Sequence, residues 1–379
     1  MVNDSIVQTF SEAGSVIAEH KQEAERTGRL SQPVVDSLVQ AGVARLYLPQ
    51  SLGGFEVDPL TCAAVTTEIA RVDTSAAWFV MVANSARLMA QYWPQALVEE
   101  LWGDDPDVLV AASGNRPFVG TRTDDGVLLN GVNSFVSGCH HAHWLLSPVN
   151  VDGVMSMAVL PMSQCNIIDN WQSLGMRGTG SNDVAATDVF VPDRHLVAMQ
   201  DPPGKRNRHY QGALYRCPSR ILFATYVPVT LVLAERALSE LSDLAQGKTP
   251  YAEDRKLKHR SIAQIKYARA LATYRSSSGY FYRALSDAWQ RAQHGDSPSA
   301  EQKADLYLAG THAAQSAAQV VRWVADAAGT SVIYQDQPLE RIFRDMETLR
   351  HHGFVSESRY GSVTQVLWDA ELDYQLLLR

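Results

Sequence analysis

The feature that most constrains the fold is a change of period along the chain. Over residues 6–104 apolar side chains recur at three- and four-residue steps, as in Ile6, Phe10, Ala13 and Ile17, which places them on one face of a helix. Between residues 108 and 192 that period gives way to short β-rich runs at 108–112, 127–135, 144–147, 154–160 and 184–191. Turn residues such as Asp124-Asp125-Gly126 and Asp152-Gly153 separate them. A loop rich in Pro, Gly and Arg follows over 201–218, and then the helical period returns in long segments at 219–245, 262–291 and 299–328, with a shorter one from Pro338. Phe281, Leu285 and Trp289 stand four apart, and the Ala-rich face over 309–325 lets helices approach closely, as in an antiparallel bundle. The expected class is α+β, with a helical domain over 1–105, an antiparallel β domain over 106–200 and a helical bundle over 218–379.

Local punctuation agrees with that division. Ser31 before Pro33 and Asp58 before Pro59 are helix starts, while Gly42 and Gly53-Gly54 suit helix stops or turns. With 379 residues, 46% of them hydrophobic, the chain can bury a large core, and its net charge of -8 offers no basic footprint for nucleic acid or an anionic membrane. Small-molecule chemistry is what remains. Cys62, Cys139, Cys165 and Cys217 show no zinc or disulfide spacing, and the first residues lack a basic stretch leading into an apolar run, so a reducing cytoplasm is expected. The longest apolar run, 221–234, is interrupted by Pro228 and falls short of the roughly 20 residues of a membrane span. It reads as a buried helix.

Three segments in order carry a family resemblance. They are Gly42-Val43-Ala44-Arg45-Leu46-Tyr47-Leu48-Pro49 followed by Gly53-Gly54, then Leu174-Gly175-Met176-Arg177-Gly178-Thr179-Gly180-Ser181 ending in Asp188-Val189-Phe190-Val191-Pro192, then Pro338-Leu339-Glu340-Arg341-Ile342-Phe343-Arg344-Asp345. Together with the helix, β domain, bundle order, they resemble the acyl-CoA dehydrogenase superfamily along nearly the whole chain. The resemblance implies a C-terminal four-helix bundle and a flavin. For Arg177, Asp188 and Arg344 themselves, ion pairing within the fold is the expected role.

What the chain lacks separates the activities of that superfamily. Its dehydrogenases use a Glu as general base, either in a segment nine residues past the Arg of the Arg-Asp pair or at the start of the first bundle helix. Gly353 and Ser219 hold those positions here. By the same resemblance, the flavin monooxygenases carry a His eight residues past that Arg, which is His352. Residues 134–144, Ser134-Phe135-Val136-Ser137-Gly138-Cys139-His140-His141-Ala142-His143-Trp144, look like the hydroxylases' flavin-facing segment. This implies Phe135 stacked near the isoalloxazine ring and Ser137 at its O4/N5 edge. The resemblance further implies cofactor contacts at Ser113, Asn115 and Arg255, and substrate contacts at Asn84, His141 and Phe223. Asn84 stands in a region where many hydroxylases have a further His. No metal is expected, because His140, His141 and His143 have no matching carboxylate. The dehydrogenases' adenine cradle is eroded over 326–334, which favours FMN over FAD.

The expected activity is the oxygenase component of a two-component monooxygenase, using reduced FMN or FAD and O2 through a C4a-hydroperoxyflavin to oxygenate an organic small molecule. With no GxGxxG loop between a strand and a helix, a separate NAD(P)H:flavin reductase is implied as partner. The same resemblance implies a homotetramer or dimer. Two alternatives stand beside it: an acyl-CoA or acyl-carrier-protein dehydrogenase with its base relocated, for example to Glu357, and a non-catalytic member of the fold.

Overall fold

The computed structural model describes residues 2–198 and 206–378, so residues 201–205 of the 201–218 loop lie outside it. The N-terminal region holds helices α1 (Asp4–Glu12), α2 (Gly14–Thr27), α3 (Gln32–Gln40), α4 (Pro59–Val72), α5 (Thr74–Met89) and α6 (Gln95–Trp102). Asp58 starts α4 as its sequence suggests, its carboxylate accepting the Leu60 and Thr61 N–H groups at 2.9 and 3.0 Å. Gly42 turns the chain at φ 90°, and a Cβ there would sit 2.4 Å from the Phe55 ring, so a side chain at this corner would strain the backbone and displace that ring.

Among the described residues eight strands form one sheet: β1 (Val110–Ala112), β2 (Phe118–Arg122), β3 (Gly126–Val136), β4 (Trp144–Val151), β5 (Val154–Pro161), β6 (Asn166–Ile168), β7 (Asn182–Pro192) and β8 (Leu196–Ala198). Their order is β6-β7-β3-β2-β4-β5-β8, with β1 also beside β4. The sheet is mixed rather than purely antiparallel, since β1 and β2 both run parallel to β4. Alternation along a strand fixes which face is buried and says nothing about the direction of its neighbour. Strand β2 escaped the sequence pattern because Gly120, Thr121 and Arg122 dilute its apolar content.

The C-terminal bundle comprises α7 (Val227–Gly247), α8 (Ser261–His294), α9 (Ala300–Ala328), α10 (Pro338–Leu349) and α11 (Ser358–Leu367). Two details differ from expectation. Residues Ser219–Thr225 form a 3-10 segment ahead of α7, and Pro228 lies in the first turn of α7, where a missing N–H goes unnoticed. The stretch after Pro338 is two helices broken at 350–357. Ser219–Gly247 has the length and hydropathy of a membrane span, yet 89% of that window is buried inside the protein. The Ala-rich face of α9 packs within its own chain: Ala309, Ala313, Ala314 and Ala317 are fully buried, and a Cβ on Gly310 would meet the Phe223 ring at 2.3 Å. Close helix approach is therefore spent inside the bundle, and the face gives no support to contact between subunits.

Two of the resemblance segments meet in space. Asp345, 1% exposed, accepts the Met176 N–H at 2.6 Å and the Thr74 hydroxyl at 2.6 Å, while Arg341 pairs with Asp73 at 2.5 Å. Gly175 lies so close to α10 that a Cβ would fall 2.3 Å from the Arg344 carbonyl. Arg344 itself pairs with Glu25 at 2.8 Å and Glu340 at 2.6 Å, the fold-holding role expected of it.

Candidate active site

Helix α5 carries the central residue, Trp78, which no motif in the sequence singles out. Its N-cap Asp73 accepts the Ala76 N–H at 2.9 Å, fixing the helix start one turn before Trp78. The Trp78 indole donates Nε1–H to the Ser137 hydroxyl at 3.1 Å. Its ring meets Tyr226 and His352 edge to face, with centroids 5.1 and 5.2 Å away. Trp78 thus joins Ser137, in the turn after β3, to His352, in the break between α10 and α11.

His352 is partly buried among aromatic rings. Tyr226 lies 5.4 Å from it and Phe354 4.8 Å, and the Tyr226 hydroxyl is tied to the Leu349 carbonyl at 2.6 Å. The Phe354 N–H donates to His352 Nδ1 at 3.3 Å, which places the proton of a neutral ring on Nε2. Burial, aided by the Arg220 guanidinium, pushes the His352 pKa down to about 4. At neutral pH the ring is a neutral Nε2–H donor. Arg220, 5% exposed, lies over the Phe354 ring at 4.5 Å and donates to the Leu376 carbonyl at 3.4 Å. Among the described residues no carboxylate pairs with it, and its buried Nε has no partner. Sequence reasoning missed Arg220 as a functional residue, although a lone cation heading an apolar run is a signal.

Ser137 is held by the turn around it. Phe135 at φ 60° and Gly138 at φ 70° reverse the chain, and the Gly138 N–H donates to the Thr179 carbonyl at 3.0 Å. Ser113 donates its hydroxyl to the Ser134 carbonyl at 2.7 Å and accepts the Asn115 N–H at 3.4 Å, which puts Ser113 and Asn115 beside the residue that precedes Phe135. Phe135 is 60% exposed beside Trp171, an open aromatic shelf of the sort that a planar ring system covers. A flavin fits this surface: apolar shelf, small polar groups at its edge, and the Trp78–His352 wall beside Ser137.

Other expected residues lie elsewhere. Asn84 is fully buried and spent on structure: its Oδ1 accepts the Tyr47 N–H at 3.0 Å, and its amide donates to Val43 and Val80 carbonyls at 2.9 and 2.8 Å. It ties α5 to the 43–47 turn and has no amide atom left for a substrate. Phe223, 1% exposed, packs on Tyr307 and Gly310 in the bundle core, so it too is a structural residue. Arg255 lies exposed between α7 and α8, with no described contact to the other cofactor candidates. His141 Nε2 bonds the Leu30 carbonyl at 3.0 Å, and the ring faces Phe79 in a narrow cleft that Trp78 and Gly138 also line. His140 and His143 are directed to Asn182 and to the Leu109 N–H instead. Glu357 is exposed at the start of α11, and among the described residues the contacts around His352 include no carboxylate.

Comparison with known proteins fits this geometry. The N-terminal domain of acyl-CoA dehydrogenases matches residues 5–93 and their C-terminal domain residues 224–357. An indole-3-acetate monooxygenase from Pseudomonas putida is 31% identical over 345 residues, covering 89% of this chain and 87% of its own. The chain belongs to the acyl-CoA dehydrogenase family, on its flavin-dependent monooxygenase branch. The oxygenase subunit HsaA of Mycobacterium tuberculosis, a flavin-dependent monooxygenase, is 26% identical to this monooxygenase over 89% of the chain and 88% of its own. Among solved structures, XiaF from Streptomyces sp., in complex with FADH2 and glycerol, matches with a TM-score of 0.91 at 20% identity, covering 98% of this chain and 96% of its own. That likeness speaks for the fold.

Proposed function

We propose that this monooxygenase is the oxygenase component of a two-component system acting on a ring-bearing organic acid. A separate reductase supplies reduced flavin, O2 adds to it as a C4a-hydroperoxide, and one oxygen atom passes to the substrate while the other leaves as water. The observation that carries the reading is the Trp78 bridge. It links Ser137 on one side to a neutral His352 on the other, and the His352 Nε2–H is the hydrogen-bond donor in this reading. A hydroperoxide needs such a donor, whereas dehydrogenation needs a carboxylate base that these positions lack. Arg220 supports the acid, being a buried guanidinium beside the same rings that pairs with no carboxylate among the described residues. Relatives named for indole-3-acetate and p-hydroxyphenylacetate act on such acids.

FMN is the favoured cofactor. The 326–334 segment is closed by Lys248, whose ammonium donates to the Ala328 carbonyl at 2.6 Å and to the Ser331 hydroxyl at 2.8 Å. A homodimer or homotetramer would use the outer face of α8, where Ile262 and Ile265 are about half exposed, at 52% and 47%. Sedimentation at micromolar concentration checks this, and a stable monomer excludes it. The activity is tested by mixing the protein and chemically reduced FMN, prepared anaerobically, with O2 and indole-3-acetate or p-hydroxyphenylacetate. Oxygenated product is expected. Bleaching of bound oxidised flavin by an acyl-CoA at a catalytic rate would overturn the assignment.

A further inference from the structure

The Ser137 hydroxyl is the end of a buried chain whose hydrogen-bond directions are forced. The Thr179 hydroxyl donates to the Met176 carbonyl at 2.8 Å, which uses its one proton. Thr179 Oγ1 and Ser181 Oγ lie 2.7 Å apart, so Ser181 must be the donor in that bond. Ser137 Oγ and Ser181 Oγ are also 2.7 Å apart, and with the Ser181 proton committed, Ser137 must donate to Ser181. The Trp78 indole N–H then donates into Ser137 from the other side at 3.1 Å. Every proton runs away from the shelf: indole to Ser137, to Ser181, to Thr179, to the carbonyl. Thr179 and Ser181 are 8% and 6% exposed, so water is poorly placed to substitute for a member of this chain. Met176 is itself fixed through Asp345.

The consequence is chemical. With its proton committed, Ser137 presents only an oxygen lone pair to whatever lies beside it. Oxidised flavin has a bare, accepting N5, whereas reduced flavin bears N5–H. We infer that Thr179 and Ser181 are positioning residues that hold Ser137 as an acceptor, so that the site prefers reduced over oxidised flavin. This rests on the reading that Ser137 faces the N5 edge. Oxidised flavin could gain a bond only if the chain reversed, and the Met176 carbonyl would then lose the Thr179 hydroxyl.

The test measures binding, not turnover. Dissociation constants for oxidised FMN and for anaerobically reduced FMN are determined on the full chain for wild type, Ser181→Ala, Thr179→Val, Thr179→Ser and Ser137→Ala, with the midpoint potential of bound FMN. Ser181→Ala frees the Ser137 proton, so oxidised FMN should bind about 10-fold more tightly, about 1.4 kcal/mol, while reduced FMN changes little. The potential should fall accordingly. Thr179→Val should act in the same direction, and Thr179→Ser should retain the wild-type ratio. A purely structural role would weaken both redox forms together and cannot produce tighter binding, so parallel weakening overturns the inference. If Ser137→Ala changes the ratio and Ser181→Ala does not, the relay is wrong and the placement of Ser137 stands. If Ser137→Ala leaves the ratio and the potential unchanged, that placement fails and takes the inference with it.

Discussion

Replacing His352 by Asn gives the sharpest test of the aromatic enclosure, because the effect can be worked out from one displaced equilibrium. An unfolded histidine titrates near 6.5, and the folded ring is pushed down to about 4. Above about pH 6.5 both states are neutral and the term vanishes. As the pH falls below that value the unfolded chain takes up a proton that the folded ring refuses, so stability is lost progressively until about pH 4. Integrated from about pH 7.5 to about pH 5, linkage gives a loss of about 2 kcal/mol, or about 1–2 kcal/mol once partial solvent access to the ring is allowed for. Urea unfolding of wild type and His352→Asn at the two pH values isolates the term, since His140 and His141 titrate alike in both proteins. Wild type should lose about 1–2 kcal/mol more than the variant on acidification. Equal losses would refute the enclosure, and with it the argument that His352 works as a neutral donor. At neutral pH the same variant should keep reduced FMN while oxygen transfer slows by about 10²-fold.

Asn84→Ala should cost about 1–3 kcal/mol of stability, because two carbonyls and one N–H lose a buried partner, and should leave the substrate KM within about twofold; a large KM change would restore Asn84 to the substrate pocket. Asp345→Asn should destabilise the protein by about 3 kcal/mol or more, seen in urea melts, since it neutralises a buried carboxylate that faces Arg341 and accepts from Met176 and Thr74. Arg220→Gln should raise the KM for an aryl acetate by at least about 10-fold with a smaller effect on a neutral analogue, in steady-state assays with a reductase supplied. Equal effects on both compounds would remove the carboxylate role.

The layout of helices, strands and bundle was legible because burial imposes a period on sequence, and most of this chain obeys it. Strand direction was not, as the parallel pairing of β2 with β4 shows. Of the candidate site, spacing singles out His352, eight residues past Arg344, and Ser137, within the 134–144 segment, and both contact Trp78. The site was not legible where chemistry depends on tertiary contact. Trp78 reads as one more core aromatic until Ser137 and His352 arrive beside it from 59 residues away and from the end of the chain. Asn84 misled in the opposite sense, since a polar residue on an apolar helix resembles a ligand but is more often satisfied by backbone. Thr179 and Ser181 sat in a segment that marks the fold, and only their 2.7 Å contact shows a further use.

The bond from Met176 to Asp345 spans 169 residues, and it sets a timetable for the growing polypeptide. At roughly 5–20 residues per second, a ribosome needs about 8–34 s between making the 176–181 loop and making the carboxylate that anchors it. Through that interval the helical N-terminus and strands β1 to β6 are already synthesised, yet Trp78 has neither Tyr226 at first nor His352 until near the end. The Trp78 ring is therefore open to solvent and to other nascent chains on the side that His352 covers until the segment around residue 352 emerges. A stalled or prematurely terminated product, lacking Asp345 and His352, would expose an indole and a hydroxyl chain with no wall behind them, which makes such fragments natural clients for chaperones and proteases.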